Sequence, residues 1–236
     1  MRKLFVFIMI PFFMMSCDPK SFQQAMDILN APLTNDEIAR GLKKALDLGV
    51  GESVDFLSAT DGYYQSAYKI LLPAEARSVT NKLKFIPGFE DIEEVLVQKI
   101  NRAAEDAAGK AGPIFLSAIQ GISFGDAMNI LMGNNNAATQ YLHQGTYSQL
   151  YNEFDPVIGN SMSKFNVEGY WANAVNTYNK IPLVDDVNPD LSDHITNAAL
   201  KGMFSLIEVK ELGIRTDISQ RSTALLQKVF AKQDGK

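Results

Sequence analysis

One cysteine, two histidines and one tryptophan stand among 236 residues, and each scarcity closes off a class of chemistry. With Cys17 alone, no disulfide forms within one chain and no multi-thiolate metal site exists. His143 and His194 are 51 positions apart with no HExxH between them, so zinc would have to draw its ligands from scattered carboxylates, and no metal or cofactor is expected. The same shortage argues against a Ser-His-Asp triad. No apolar run reaches the roughly 20 residues of a bilayer-spanning helix. No stretch alternates apolar and polar residues for long enough to make a sheet.

What is present starts at the N-terminus. Met1-Arg2-Lys3 gives a positive start, Leu4 to Met15 is an apolar run of 12, and Ser16-Cys17 leads into Asp18-Pro19-Lys20. That is the layout of a secretory signal. Met14-Met15-Ser16-Cys17 resembles a bacterial lipobox, in which the cysteine thiol takes a diacylglycerol and the peptide bond before it is cut; Met14 and Met15 make the match a loose one. The expectation is a signal peptide over 1–16, a lipidated Cys17 with a tether over 17–33, and a helical domain over 34–232. It places the protein in the bacterial cell envelope, facing the periplasm, with the membrane as its partner through palmitate or a similar acyl chain on Cys17. Which membrane holds it stays open.

Losing Arg2 and Lys3 from the 22 basic residues leaves 20 against 27 acidic ones, a formal charge of −7. A chain this acidic is a poor ligand for phosphate backbones, whose nonspecific affinity comes from Lys and Arg displacing counterions, so nucleic acid is excluded as a partner.

Helical spacing dominates from Thr34 onward. Thr34-Asn35-Asp36-Glu37 fits a capping box, and Ile38, Leu42, Ala45, Leu46 and Gly49 follow on one face. Residues 49–73 read as a loop with room for one short strand, because Asp61-Gly62 is a turn signal and Pro73 forces its predecessor toward extended geometry. Helices are expected near 74–85, 90–111, from Pro113, from Ser123 to a left-handed Gly133, and near 137–142, 146–163, 168–179, 192–212 and 222–232. Ala103, Ala104, Ala107, Ala108 and Ala111 make the 90–111 helix thin enough to be central. The fold class is therefore all-α, a single domain of about eight to ten helices.

Several chemical motifs dissolve on inspection. Asp186-Val187-Asn188-Pro189-Asp190 opens like a calcium loop, but Leu191 and Asn197 stand where glycine and a bidentate Glu are required. Asp190 or Ser192 reads instead as a helix cap. Gly121-Ile122-Ser123-Phe124-Gly125 matches the letters of a nucleophile elbow without its strand, so Ser123 reads as a cap too. Arg102 carries more weight, lying three residues from Glu105 and four from Asp106 on one helix face. If that face turns inward, it forms either a structural network or a pocket. Tyr63, Tyr64 and Tyr68 gather in the loop, where exposed rings stack on sugars or partner surfaces. The candidate pocket comprises Arg102, Glu105, Tyr63, Tyr64, Asp190 and His194, with no catalytic residue assigned.

Seven phrases, read in order, resemble a bacterial lipoprotein family known as domain of unknown function 4197. They are Leu33-Thr34-Asn35-Asp36-Glu37-Ile38; Asn101-Arg102-Ala103-Ala104-Glu105; Asp126-Ala127 with Ile130-Leu131 and Gly133; Ala137-Ala138-Thr139-Gln140-Tyr141; Asn188-Pro189-Asp190-Leu191; Ala199-Leu200-Lys201-Gly202-Met203-Phe204; and Leu225-Leu226-Gln227-Lys228-Val229-Phe230. The resemblance spans Leu33 to Phe230 and implies an exported, mostly helical protein, with no site residues to carry over. His143 stands where the family pattern implies Arg, and Gly213 interrupts a region that is more charged in the pattern.

The leading expectation is a binding or scaffold protein, not an enzyme, whose partner is an envelope protein, glycan or lipid ligand. The alternatives are a hydrolase-like envelope enzyme with a polar pocket around Arg102 and Glu105, and a carrier with an apolar cavity for a lipid-like ligand. An enzyme needs converging ionisable groups, a carrier a dry apolar hollow, and a scaffold an exposed apolar patch.

Overall fold

The capping box at Thr34 begins the first helix as expected. Thr34 Oγ1 accepts the Glu37 N–H at 3.2 Å, and Glu37 Oε2 accepts the Thr34 N–H at 2.8 Å. The computed structural model describes residues 33–184, 187 and 190–234; the expected signal, Cys17, the tether and most of 185–189 lie outside the described residues. Helix α1 runs Asn35–Ser58, past the expected end near Gly49. Val50, Ser53, Val54 and Leu57 extend its buried stripe, and the Ser53 hydroxyl donates to the Gly49 carbonyl at 2.6 Å. Glycine inside a helix costs about 1 kcal/mol relative to alanine. Here tertiary packing outweighs that cost, for a Cβ on Gly49 would sit only 3.4 Å from Lys210 Cβ on the neighbouring helix.

Eight more α-helices follow among the described residues: α2 Ala74–Leu83, α3 Ile92–Ala108, α4 Ala111–Gly121, α5 Phe124–Met132, α6 Ala137–Lys164, α7 Val167–Tyr178, α8 Leu191–Thr216 and α9 Ala224–Phe230. No strand occurs among them, and the class is all-α. Helix α3 is central: its Ala103, Ala104, Ala107 and Ala108 are fully buried, and it packs against α1, α2, α6, α7 and α8.

Two helices expected over 137–142 and 146–163 are one continuous α6. Leu142, Thr146, Leu150, Phe154 and Ile158 form an unbroken buried face, and Thr146 Oγ1 donates to the Leu142 carbonyl at 2.7 Å. Gly145 and Pro156 fall on the exposed side. The carbonyl of Asn152, which Pro156 leaves without a donor, belongs to an exposed residue and is not stranded in the core.

Ser123 caps α5 by accepting the Asp126 N–H at 3.2 Å. Gly133, expected to be left-handed, has φ −75°. Its glycine is dictated by space instead, since a Cβ would lie 2.8 Å from Ala137 Cβ and 3.0 Å from the Asn129 carbonyl. Helices α4 and α5 meet at 103°, and no single helix among the described residues is long and apolar enough to cross a membrane.

Residues 59–73 join α1 to α2 through successive turns and an extended stretch. Along that stretch Ile70 and Leu72 point inward while Leu71 is 54% exposed. The strand allowed for here does not form. Its partner is a side chain: Asn101 Oδ1 accepts the Ile70 N–H and Asn101 Nδ2 donates to the Ile70 carbonyl, both at 2.8 Å.

Candidate functional site

Glu105 faces inward from the last turn of α3, where burial demands partners for its charge. Its Oε1 accepts the backbone N–H groups of Tyr63 and Tyr64, each at 3.2 Å. Its Oε2 takes Arg102 Nη1 at 2.7 Å, while Arg102 Nη2 reaches Asp61 Oδ1, also at 2.7 Å. Asp61 itself has φ 68°, a left-handed turn position that asparagine and aspartate tolerate better than other non-glycine residues. The arrangement is a clasp: one carboxylate and one guanidinium hold the turn after α1 onto the central helix.

The clasp brings together four of the six residues that the sequence grouped. Tyr63, expected on the surface as a stacking ring, has no exposed area. Its hydroxyl donates to the Ala199 carbonyl of α8 at 2.7 Å, and burial, reinforced by the Glu105 charge, pushes its phenol up. It is a neutral donor tying the turn to α8, and a sugar cannot reach it. Tyr64 is half-buried beneath Lys69 Nζ at 4.3 Å and Arg102 Cζ at 5.6 Å from its ring centre, a cation–π arrangement.

The other two residues lie outside the clasp. Asp190 caps α8, its Oδ1 accepting from Ser192 N at 2.9 Å and Asp193 N at 3.4 Å. His194 is one turn into α8, with Nε2 2.8 Å from the Leu71 carbonyl oxygen; since a carbonyl only accepts, that nitrogen carries the proton.

A second buried cluster has no counterpart in the sequence reasoning. Glu211, on α8, receives the Ala138 and Thr139 N–H groups at 2.9 and 2.8 Å and the Thr139 hydroxyl at 2.7 Å. It thereby caps the N-terminus of α6 from another helix, doing what Asn136 at the cap position does not. Arg215 binds Glu211 at 2.8 Å and donates to the last carbonyls of α5, Ile130 at 2.9 Å and Leu131 at 3.1 Å. Arg221 does the same for α8 through Ile214 and Arg215, and is gripped by both oxygens of Asp234 at 2.8 and 2.6 Å. An i, i+4 Glu–Arg spacing was the one signal that sequence offered, and it was obscured because the helix was expected to stop at Leu212.

In both clusters the buried carboxylates, Glu105 and Glu211, spend their oxygens on backbone N–H groups and on arginines, and only Asp61 and Asp234 at the cluster edges are partly exposed. Among the described residues no group of three or more His, Cys, Asp or Glu is placed to hold a metal ion. The apolar void between α1, α6, α8 and α9, lined by Leu42, Leu46, Ile207 and Phe230, measures about 20 Å³, room for a single water molecule. It does not accommodate a lipid chain.

Open space lies instead on either side of α8. One recess of about 530 Å³ runs between residues 67–77 and α8, and His194, Lys201 and Ser205 form part of its wall. The other, about 710 Å³, lies between α6 and α8. There the His143 ring stands 4.6 Å from Phe204 and 4.8 Å from Tyr147, whose hydroxyl donates to Asn197 Oδ1 at 2.5 Å. Lys201 and Ser205 belong to both walls.

Fold and site together define an all-α protein whose buried ions cap helices and anchor a turn, with two open recesses flanking α8. The chain belongs to the family described as Protein of unknown function (DUF4197), whose model matches residues 32–231. Comparison with curated proteins and with solved structures yields no match.

Proposed function

We propose that this chain is a lipid-anchored binding module of the bacterial cell envelope, facing the periplasm, which recognises its ligand along the exposed side of α8 without turning it over. The observation that carries this view is the pair of open recesses meeting at Lys201 and Ser205, set against the buried Glu105 and Glu211 carboxylates, whose oxygens are already committed to backbone N–H groups and arginines. An enzyme built on Arg102 and Glu105 would need at least one of those oxygens available to substrate. The lipobox-like Met14-Met15-Ser16-Cys17, the positive start and the apolar run of 12 support export and acylation.

Two measurements test the halves of the proposal. Palmitate labelling of the full chain is expected to vanish in Cys17→Ala; equal labelling of both would end the claim of a lipid anchor. A photo-crosslinking amino acid at Ser205 is expected to trap an envelope component in native membranes that the same group at Lys232, away from both recesses, does not. The absence of any Ser205-dependent product would remove the recognition role.

A further inference from the structure

The recess between residues 67–77 and α8 departs from the charge of the chain as a whole. The protein is acidic, yet this wall carries Lys69, Arg77, His194 and Lys201 and not one carboxylate. Arg77 is the telling member. Of the five described arginines, Arg40, Arg102, Arg215 and Arg221 each hold a carboxylate, from Asp36, from Asp61 and Glu105, from Glu211 and from Asp234 respectively. Arg77, on the exposed side of α2, makes no ion pair among the described residues, and neither does Lys201. Elsewhere the fold gives its arginines carboxylate partners; here it leaves a planar, bidentate donor facing an open space of about 530 Å³, within the size range of small-molecule sites.

The rest of the wall narrows the ligand class. Leu71 is exposed beside the half-buried Tyr68, and Ala198 and Pro73 add further apolar surface. A bare inorganic anion would satisfy the cations and leave that surface in water. We infer that this recess binds an amphiphilic phosphate, with the phosphoryl oxygens on the Arg77 guanidinium and the Lys201 ammonium and the apolar part against Leu71 and Tyr68. Guanidinium forks match phosphoryl oxygens in geometry as well as charge. Because the chain as a whole is acidic, the recess selects its anion by short-range contact, not by a broad attractive field. The inference rests on the recognition role proposed above and supplies its ligand class.

Titration calorimetry of the purified full chain with monomeric dihexanoyl phosphatidic acid tests it, alongside inorganic phosphate and dihexanoyl phosphatidylcholine. Phosphatidic acid is expected to bind at least about tenfold more tightly than either comparison ligand. Arg77→Gln with Lys201→Gln should weaken it by about tenfold or more, the scale of losing one charge-assisted hydrogen bond, while Lys164→Gln, outside the recess, changes nothing. Unaltered binding by the double variant, or equal binding of phosphatidylcholine, would overturn the inference. Equal affinity for inorganic phosphate would overturn its amphiphilic half. If phosphatidic acid fails to bind while the Ser205 crosslink still forms, this ligand class falls and the recognition role stands; if both fail, both fall.

Discussion

The two sides of the segment 59–73 use charge in opposite ways. Toward α3, Glu105 and Asn101 hold its backbone and Arg102 holds its Asp61 side chain, and their polar groups find partners within the fold. Toward α8, Lys69, Arg77 and Lys201 line an open recess, and the last two have no carboxylate partner among the described residues. The same short stretch of chain thus separates charge that maintains architecture from charge that is available to a ligand. Burial is the physical discriminator. An ion taken out of water must be paired for the fold to survive, whereas an exposed one is tolerated alone and is retained at little cost to stability.

The comparison breaks most visibly at the buried end. Arg215→Ala should lower unfolding free energy by about 3–5 kcal/mol in urea denaturation, because it strands the Glu211 charge and the Ile130 and Leu131 carbonyls in the interior. A loss below about 1 kcal/mol would mean that the cluster is not structural. Glu105→Ala should lose less, about 2–3 kcal/mol, by orphaning the Tyr63 and Tyr64 N–H groups while Arg102 keeps Asp61. Proteolysis within 59–73 is expected to accelerate in that variant and not in Arg215→Ala at matched stability.

A milder effect sharpens the contrast at the surface. Glu37 is held at about 2, well below the ordinary 4.5, by the Lys228 hydrogen bond first and then by the Thr34 N–H and hydroxyl. A depressed carboxylate stabilises the fold fully above its ordinary value, and that contribution disappears as pH falls through about 2. The gap in denaturation midpoint between wild type and Glu37→Gln should therefore be constant above pH 4.5 and close as pH falls toward about 2. A gap that is insensitive to pH would contradict the ionic origin of this cap.

Features set by local chemistry were legible in the sequence. The Thr34, Ser123 and Asp190 caps are decided within three residues, and the pairing of Arg102 with Glu105 follows from helical spacing. What stayed hidden depends on residues far apart in the chain. Nothing local says that the turn bearing Tyr63 folds back onto Glu105, 42 positions later, so a buried donor read as an exposed ring. Glu211 caps a helix that begins more than 70 residues earlier, beyond any window of spacing rules. Gly49, Gly145 and Pro156 are breakers by propensity, and a continuous buried stripe overrode all three. His194 was grouped with Arg102 by residue type alone; the fold puts it in the wall of the basic recess, among residues drawn from two separate stretches of sequence.

The most direct test of the division between committed and available charge is the unfolding free energy of the Arg77→Gln, Lys201→Gln double variant without ligand. The account predicts a value within about 0.5 kcal/mol of wild type, as for exposed substitutions that remove no internal partner. A loss of more than about 2 kcal/mol, on the scale expected for Glu105→Ala, would show that these cations are also part of the scaffold and would contradict the account.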